Sequence, residues 1–180
     1  MGWVRRRPLD RQLRNELVSL RFPGAQHGAL VLGPAGVGKT HLACALGHIA
    51  VRRRRTVLMT PAAKLFKKLR AARLDNTLDA EMRRLTGIEL LIPDDLALQP
   101  PDATETADFC QLCVERHRKA ATIVTSNRAP GEWLPVMADP LLAQSAAGRL
   151  TSTCYELIIE GQSFRRRQKP GLPAPEENPR

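Results

Sequence analysis

The chain has 180 residues, the length of one ordinary domain, and its 43% hydrophobic and 4% aromatic content predicts a core built from aliphatic side chains. Lysine and arginine number 28 against 18 acidic residues, so the net charge of +10 favours a polyanionic partner such as nucleic acid, although a generally basic composition explains it equally well. No stretch is apolar enough for a membrane span or a secretory signal, so the sequence predicts a cytoplasmic protein.

Short apolar runs alternate with amphipathic segments along the chain. The runs predict buried strands at residues 29–32, 56–59, 89–92, 122–125 and 155–159. The amphipathic segments predict helices at residues 10–20, 39–51, 61–69, 78–85, 104–119 and 139–147. Thr60 is expected to cap the third of these helices, with Pro61 at its first position. Strands and helices in alternation predict a parallel sheet with helices on both faces, joined by right-handed crossovers.

Composition divides the chain into three parts. Residues 1–28 predict a short N-terminal helical segment, residues 29–168 hold the alternating core, and residues 169–180, rich in Pro and Glu, predict a disordered tail. Cys110 and Cys113 form one C-x-x-C pair, but the sequence has no second pair to complete a zinc site. Both cysteines fall in a predicted helix, so we expect them to pack in the core.

A glycine-rich turn between the first strand and the next helix matches the phosphate-loop pattern G-x-x-x-x-G-K-[ST] in full. Its residues are Gly33-Pro34-Ala35-Gly36-Val37-Gly38-Lys39-Thr40. The glycines let backbone N–H groups approach the phosphates of ATP closely, and the N-terminus of the following helix adds its positive dipole end. We expect Lys39 to place its charge on the β- and γ-phosphates and Thr40 to offer its hydroxyl to Mg²⁺. Together with His41, which follows directly, this loop is the predicted ATP site.

Acidic and amide side chains follow two later strands. Pro93-Asp94-Asp95 comes after the third strand, where a phosphate loop requires a carboxylate. We expect Asp94 to hold Mg²⁺ and Asp95 to polarise the attacking water; the alternative is two solvated acids at a strand end. Pro93 cannot donate to a sheet ladder, so the strand is expected to end at Ile92 or to bulge there. Asn127 follows the fourth strand and either contacts the γ-phosphate and the water or simply forms a turn.

Longer matches surround these motifs. They are Leu9-Asp10-Arg11, Gly33 to Ala43 (GPAGVGKTHLA), Ala45-Leu46-Gly47, Leu90 to Asp95, Thr125-Ser126-Asn127, Glu132-Trp133, Asp139 to Ala143, Gly148-Arg149-Leu150 and Gly161 to Arg165. Together these segments resemble the AAA+ ATPases, and more closely the IstB-like transposition helpers, which are related to the DnaC helicase loaders. The most specific parts of the resemblance are the GKTHLA and TSN segments and the closing G-x-S-[FY]-R pattern.

This resemblance implies a fold and a set of roles. The fold is a three-layer αβα domain of the AAA+ type, with a five-stranded parallel sheet in the order 5-1-4-3-2. The activity is ATP hydrolysis with Mg²⁺ by a protein that assembles with itself on DNA and assists a transposase. Asn127 matches the family's sensor position, and Arg149 matches the arginine that reaches the γ-phosphate of a neighbouring subunit. Arg165 lies in the closing motif, which implies contact with nucleotide or DNA.

Three departures from the family pattern leave other functions open. Family members usually carry a further N-terminal helical domain, whereas about 28 residues precede the first strand here. Pro93 stands where a hydrophobic residue is usual and Asp95 where Glu is frequent, which predicts slow hydrolysis. Gly148 replaces the usual Asp before the arginine. The alternatives are a DnaC-like helicase loader in DNA replication and a truncated copy that binds ATP with little hydrolysis.

Three basic clusters are candidates for DNA contact. They lie at residues 52–55, at Lys64, Lys67 and Lys68, and at residues 165–167. A solvated face explains any single cluster, but the family resemblance favours a set that binds DNA phosphates. Few aromatic residues are interleaved with them, so we expect contact with the DNA backbone and little sequence specificity.

Overall fold

The computed structural model describes Ser19 and residues 27–164, so Arg165, the predicted tail and most of the predicted N-terminal segment lie outside the described residues. The strands are β1 (Gly28–Leu32), β2 (Val57–Pro61), β3 (Leu90–Asp94), β4 (Ala121–Ser126) and β5 (Cys154–Ile158). The helices are α1 (Lys39–Arg52), α2 (Ala62–Leu74), α3 (Leu78–Gly87), α4 (Ala103–Arg116) and α5 (Pro140–Ser152), with short 3₁₀ turns at Pro130–Glu132 and Leu134–Val136.

The five strands form one parallel sheet in the order β2-β3-β4-β1-β5, which confirms the predicted order 5-1-4-3-2. β1 lies between β4 and β5, and its Leu30 pairs with Val124 on one side and with Glu156 on the other. In a parallel sheet all carboxyl ends lie at one edge. The segments that follow β1, β3, β4 and β5 therefore meet there.

Helices pack on both faces of the sheet and bury β1 completely. Leu30 and Leu32 pack with α2, α4 and α5, whereas Ala29 and Val31 pack with α1. All four side chains are at most 1% exposed, which confirms the prediction of a buried strand. Among the described residues, no helix is both long and apolar enough to cross a membrane.

The prediction that Thr60 caps a helix beginning at Pro61 was wrong. Pro61 is the last residue of β2, and α2 begins at Ala62 without a side-chain cap. The Thr60 hydroxyl instead lies 3.4 Å from the Pro61 carbonyl oxygen. Pairing of Pro61 with Asp94 extends the strand, so here the sheet overrides the local capping signal.

The prediction that β3 ends or bulges at Ile92 was also wrong. β3 continues through Pro93, which pairs in regular register with Thr60 of β2. The N–H of Leu90 donates to the carbonyl of Thr56, directly before β2. Successive amides of a strand point to opposite neighbours, so the position of Pro93 that lacks a donor faces β4. The ladder to β4 has already ended at Leu91, so the missing N–H breaks no sheet hydrogen bond.

The predicted packing role of Cys110 and Cys113 is confirmed. Both thiols are buried in α4, within the cluster that holds β1 and α5. Burial raises the pKa of Cys110 to about 11 and also raises the pKa of Cys113, so both thiols are protonated at neutral pH. Within residues 27–164 no three or more His, Cys, Asp and Glu side chains are grouped as the ligands of a metal ion.

Candidate nucleotide site

The phosphate loop joins the buried strand β1 to helix α1. Gly36 and Gly38 have φ angles of 83° and 97°, and Gly38 is the N-cap residue of α1. The first N–H groups of a helix have no partner within it, so they are available to an anion that lies against the loop. A Cβ built at Gly38 would meet no atom within 4 Å, so this part of the loop is open to a ligand.

Two glycines of the loop also admit close contact with the chain that follows β5. A Cβ at Gly33 would lie 2.3 Å from the Ile159 carbonyl oxygen. A Cβ at Gly36 would lie 2.1 Å from the Ser163 hydroxyl oxygen. Neither position tolerates a side chain. Glycine is therefore required at both positions for residues 159–163 to pack closely against the loop.

Lys39 joins the loop to the carboxyl end of β4. Its side chain is only 5% exposed, and Nζ donates to the Pro34 carbonyl at 2.8 Å and to Asn127 Oδ1 at 2.5 Å. The sequence placed Asn127 beside the nucleotide only as one of two alternatives. The structure brings Asn127 to the lysine of the phosphate loop, as a γ-phosphate contact requires.

Thr40 and Asp94 form a hydroxyl–carboxylate pair. Thr40 Oγ1 lies 3.1 Å from each carboxylate oxygen of Asp94, which is 8% exposed. Thr125 donates its hydroxyl to Asp94 Oδ1 at 2.5 Å and so orients the carboxylate. Hard oxygen ligands of this kind, with phosphate oxygens, are the set that Mg²⁺ prefers. These residues therefore fit the ion that the sequence predicted there.

Asp95 lies directly beyond the strand, in a left-handed backbone conformation with φ of 57°. Its N–H donates to Thr125 Oγ1 at 2.8 Å, so one threonine holds both acidic residues. Its side chain is half-buried and lines a cleft with Asp94, Phe66 and Lys67. Asp95 is thus held at the same sheet edge as the phosphate loop.

Thr125 is the residue whose role the sequence did not reveal. The sequence marks it only as the first letter of the TSN segment, yet it orients Asp94 and binds the amide of Asp95. The hydroxyl of Ser126 has structural partners of its own: it donates to the Leu96 carbonyl and accepts from the indole N–H of Trp133. A threonine at the end of the strand beside an acidic strand end is the signal that could have indicated this role.

Arg149 lies at the opposite edge of the sheet. It borders a cavity with Gly28 and Cys154, the first residues of β1 and β5, and its guanidinium bonds back to Ser145 one turn earlier in α5. β1 separates the two edges by about 13 Å. The structure therefore does not bring Arg149 to the phosphate loop of its own chain, whereas His41 lies, exposed, in the first turn of α1.

Comparison with known proteins shows the family of the chain. The model of the IstB-like ATP-binding proteins matches residues 2–171. The chain belongs to this family. An IS21 insertion-sequence protein of Pseudomonas aeruginosa is 35% identical over 89% of this chain and 61% of its own length. An insertion-sequence protein of Sinorhizobium fredii is 34% identical over 91% of this chain and 66% of its own.

Solved structures share the fold of this IstB-like protein. A structure of DnaI has a TM-score of 0.70 at 20% identity and covers 83% of this chain and 82% of its own. The DnaC helicase loader has a TM-score of 0.68 at 17% identity, over 86% and 94%. A structure of the replication initiator DnaA, bound to AMPPCP and single-stranded DNA, has a TM-score of 0.69 at 19% identity, over 89% and 49%. The fold is that of AAA+ P-loop domains.

Proposed function

We propose that this IstB-like protein hydrolyses ATP at the phosphate loop and, with ATP, assembles with copies of itself on DNA to assist a transposase. The observation that carries the proposal is the convergence at one sheet edge of Lys39 with Asn127 and of Thr40 with Asp94. Three segments far apart in the sequence supply these groups. A chance match to the loop pattern would not bring the matching side chains together.

Each residue has a distinct task in this proposal. The loop amides and Lys39 bind the phosphates, Asn127 positions the γ-phosphate, and Asp95 polarises the attacking water. Thr40 and Asp94 hold Mg²⁺. The ion, when bound, neutralises charge that develops on the phosphate oxygens.

The position of Arg149 supports the proposed assembly. An arginine at the amino edge of the sheet can serve hydrolysis if that edge packs against the phosphate loop of a second copy. An arginine supplied by a neighbour stabilises the charge of the transition state. The proposal therefore gives each ATP site residues from two chains.

The partner is a transposase because the related insertion-sequence proteins belong to mobile elements. A second candidate is a DnaC-like loader that binds a replicative helicase, and the match to 94% of the DnaC chain favours it. Co-purification separates the two, because recovery of a helicase and no transposase would replace the first candidate by the second. The chain spans about three fifths to two thirds of the insertion-sequence relatives named above, so the partner stays part of the proposal.

ATP binding is tested by replacing Lys39 with alanine. Removal of one charge-assisted bond to phosphate costs about 1.5–3 kcal/mol, so we expect ATP affinity to fall about ten- to a hundredfold. Isothermal titration with ATP and Mg²⁺ measures the change. The matched control is Arg52→Ala, which removes an exposed cation from the other end of the same helix and should leave the affinity unchanged. Equal affinities for wild type and Lys39→Ala would remove the phosphate-loop assignment.

DNA binding is tested on the exposed face of α2. Lys64 and Lys67 are exposed there, whereas Lys68 pairs with Glu81 at 3.2 Å. We expect Lys64→Ala with Lys67→Ala to lower the slope of log affinity against log salt by about one for each DNA phosphate that the variant no longer neutralises. Fluorescence anisotropy with duplex DNA, at several salt concentrations, measures the slope.

Lys68→Ala is the internal control for this experiment. Because Lys68 pairs with Glu81, the slope should change less than for Lys64 or Lys67. If the double variant keeps the wild-type slope, α2 is not part of the DNA interface.

A further inference from the structure

The chain that follows β5 returns to the phosphate loop. β5 pairs with β1 as far as Leu32, and the N–H of Ile159 donates to the Leu32 carbonyl at 2.8 Å. This pairing delivers residues 160–164 to the side of the loop that faces away from β3 and β4. They lie across the loop from Asp94 and Asn127.

Two adjacent residues of this segment contact the loop directly. The N–H of Phe164 donates to the Gly36 carbonyl at 2.9 Å, and the Ser163 hydroxyl fills the space beside Gly36. The backbone of Phe164 is therefore attached to the loop, while its side chain is 55% exposed. An aromatic residue whose backbone is bonded to a phosphate loop and whose side chain is accessible is suited to stacking.

The direction of a bound triphosphate follows from the described side chains. Lys39 bonds to Asn127 of the segment after β4, and Thr40 bonds to Asp94 of β3, so the γ-phosphate end lies on the side of β3 and β4. A triphosphate that lies along the loop then extends its nucleoside end towards the opposite side. That side is the one where β5 delivers Phe164.

We propose that the ring of Phe164 is the stacking platform for the nucleobase of the bound nucleotide. This inference rests on the proposed ATP site and adds the residue that binds the base. Stacking on an aromatic ring accepts any base with a π-face, and it binds the larger purines better than pyrimidines. The phosphate loop then supplies affinity for the triphosphate, and Phe164 supplies preference for a purine nucleoside.

The test compares a ligand that has a base with one that lacks it. Wild type, Phe164→Ala and Phe164→Tyr are titrated with MgATP and with magnesium tripolyphosphate by isothermal calorimetry. Removal of the stacking ring is expected to weaken ATP binding to Phe164→Ala about five- to 150-fold, with tripolyphosphate affinity unchanged. Phe164→Tyr keeps the ring and should keep the affinity for ATP. Leu74→Ala, at the 78% exposed end of α2, is the control for removal of an exposed apolar side chain.

A fluorescent ring provides a second measurement. In Phe164→Trp we expect ATP to quench the new indole emission and tripolyphosphate to leave it unchanged. The inference is overturned if Phe164→Ala binds ATP like wild type, or if it loses both ligands equally, because the segment would then only support the loop. Wild type that binds neither ligand would instead overturn the proposed ATP site, so the two failures are distinguishable.

Discussion

Replacing Arg149 with alanine is expected to lower the rate of ATP hydrolysis by about three orders of magnitude, while each copy still binds ATP. ATP binding should persist because the length of β1 separates Arg149 from the phosphate loop of its own chain. At that distance it contributes nothing to binding within one chain. Its contribution arises when a second copy presents the arginine to the nucleotide. Steady-state phosphate release with DNA present, beside an ATP titration, measures both quantities.

Mixing two slow variants tests whether Arg149 acts between copies. Arg149→Ala keeps every residue of the nucleotide site within its own chain. Asp95→Asn keeps Arg149, which it can present to a neighbouring copy. Interfaces that pair the two intact halves should raise turnover in the mixture above that of either variant alone. Arg149→Ala mixed with Arg149→Ala,Asp95→Asn is the control, because no copy in that mixture carries Arg149. Absence of rescue between two folded variants that still assemble would argue against action between copies.

Much of the fold was readable from the sequence because its signals are local. A strand such as β1 is a continuous apolar run, and the loop that follows carries its own glycine pattern. The ends of the elements were less accurate. β2 and β3 each extend two residues beyond the prediction, because pairing between Pro61 and Asp94 outweighs the breaking tendency of the prolines.

The interactions that orient the site could not be read from the sequence. Thr125 reaches Asp94 across 31 residues, and Phe164 reaches Gly36 across the whole core. Such interactions depend on strand order and register, which no local pattern specifies. Ion pairs between elements could not be predicted for the same reason. The sequence groups Lys68 with Lys64, but in the structure Lys68 pairs with Glu81 of α3.

Replacing Asp95 with asparagine is expected to lower turnover about a hundredfold or more, with ATP affinity unchanged. The amide keeps the shape of the side chain and removes the basic oxygen that polarises water. Asparagine also tolerates the left-handed backbone at this position, so the fold should be preserved. Asp75→Asn, beyond the C-terminus of α2, is the matched control and should hydrolyse ATP like wild type.

Asp95→Glu then tests whether the shorter acid limits the enzyme. The sequence left open that Pro93 displaces the strand end, in which case a longer side chain would not help. β3 instead runs in register through Asp94, and the amide of Asp95 donates to Thr125 Oγ1 at 2.8 Å, so Pro93 does not displace the end of the strand. We therefore expect the added methylene to raise turnover, at a cost in stability of about 1–2 kcal/mol, because glutamate is less suited to the left-handed conformation. Turnover of Asp95→Glu as low as that of Asp95→Asn, with both variants folded, would contradict the expectation that the shorter acid limits turnover.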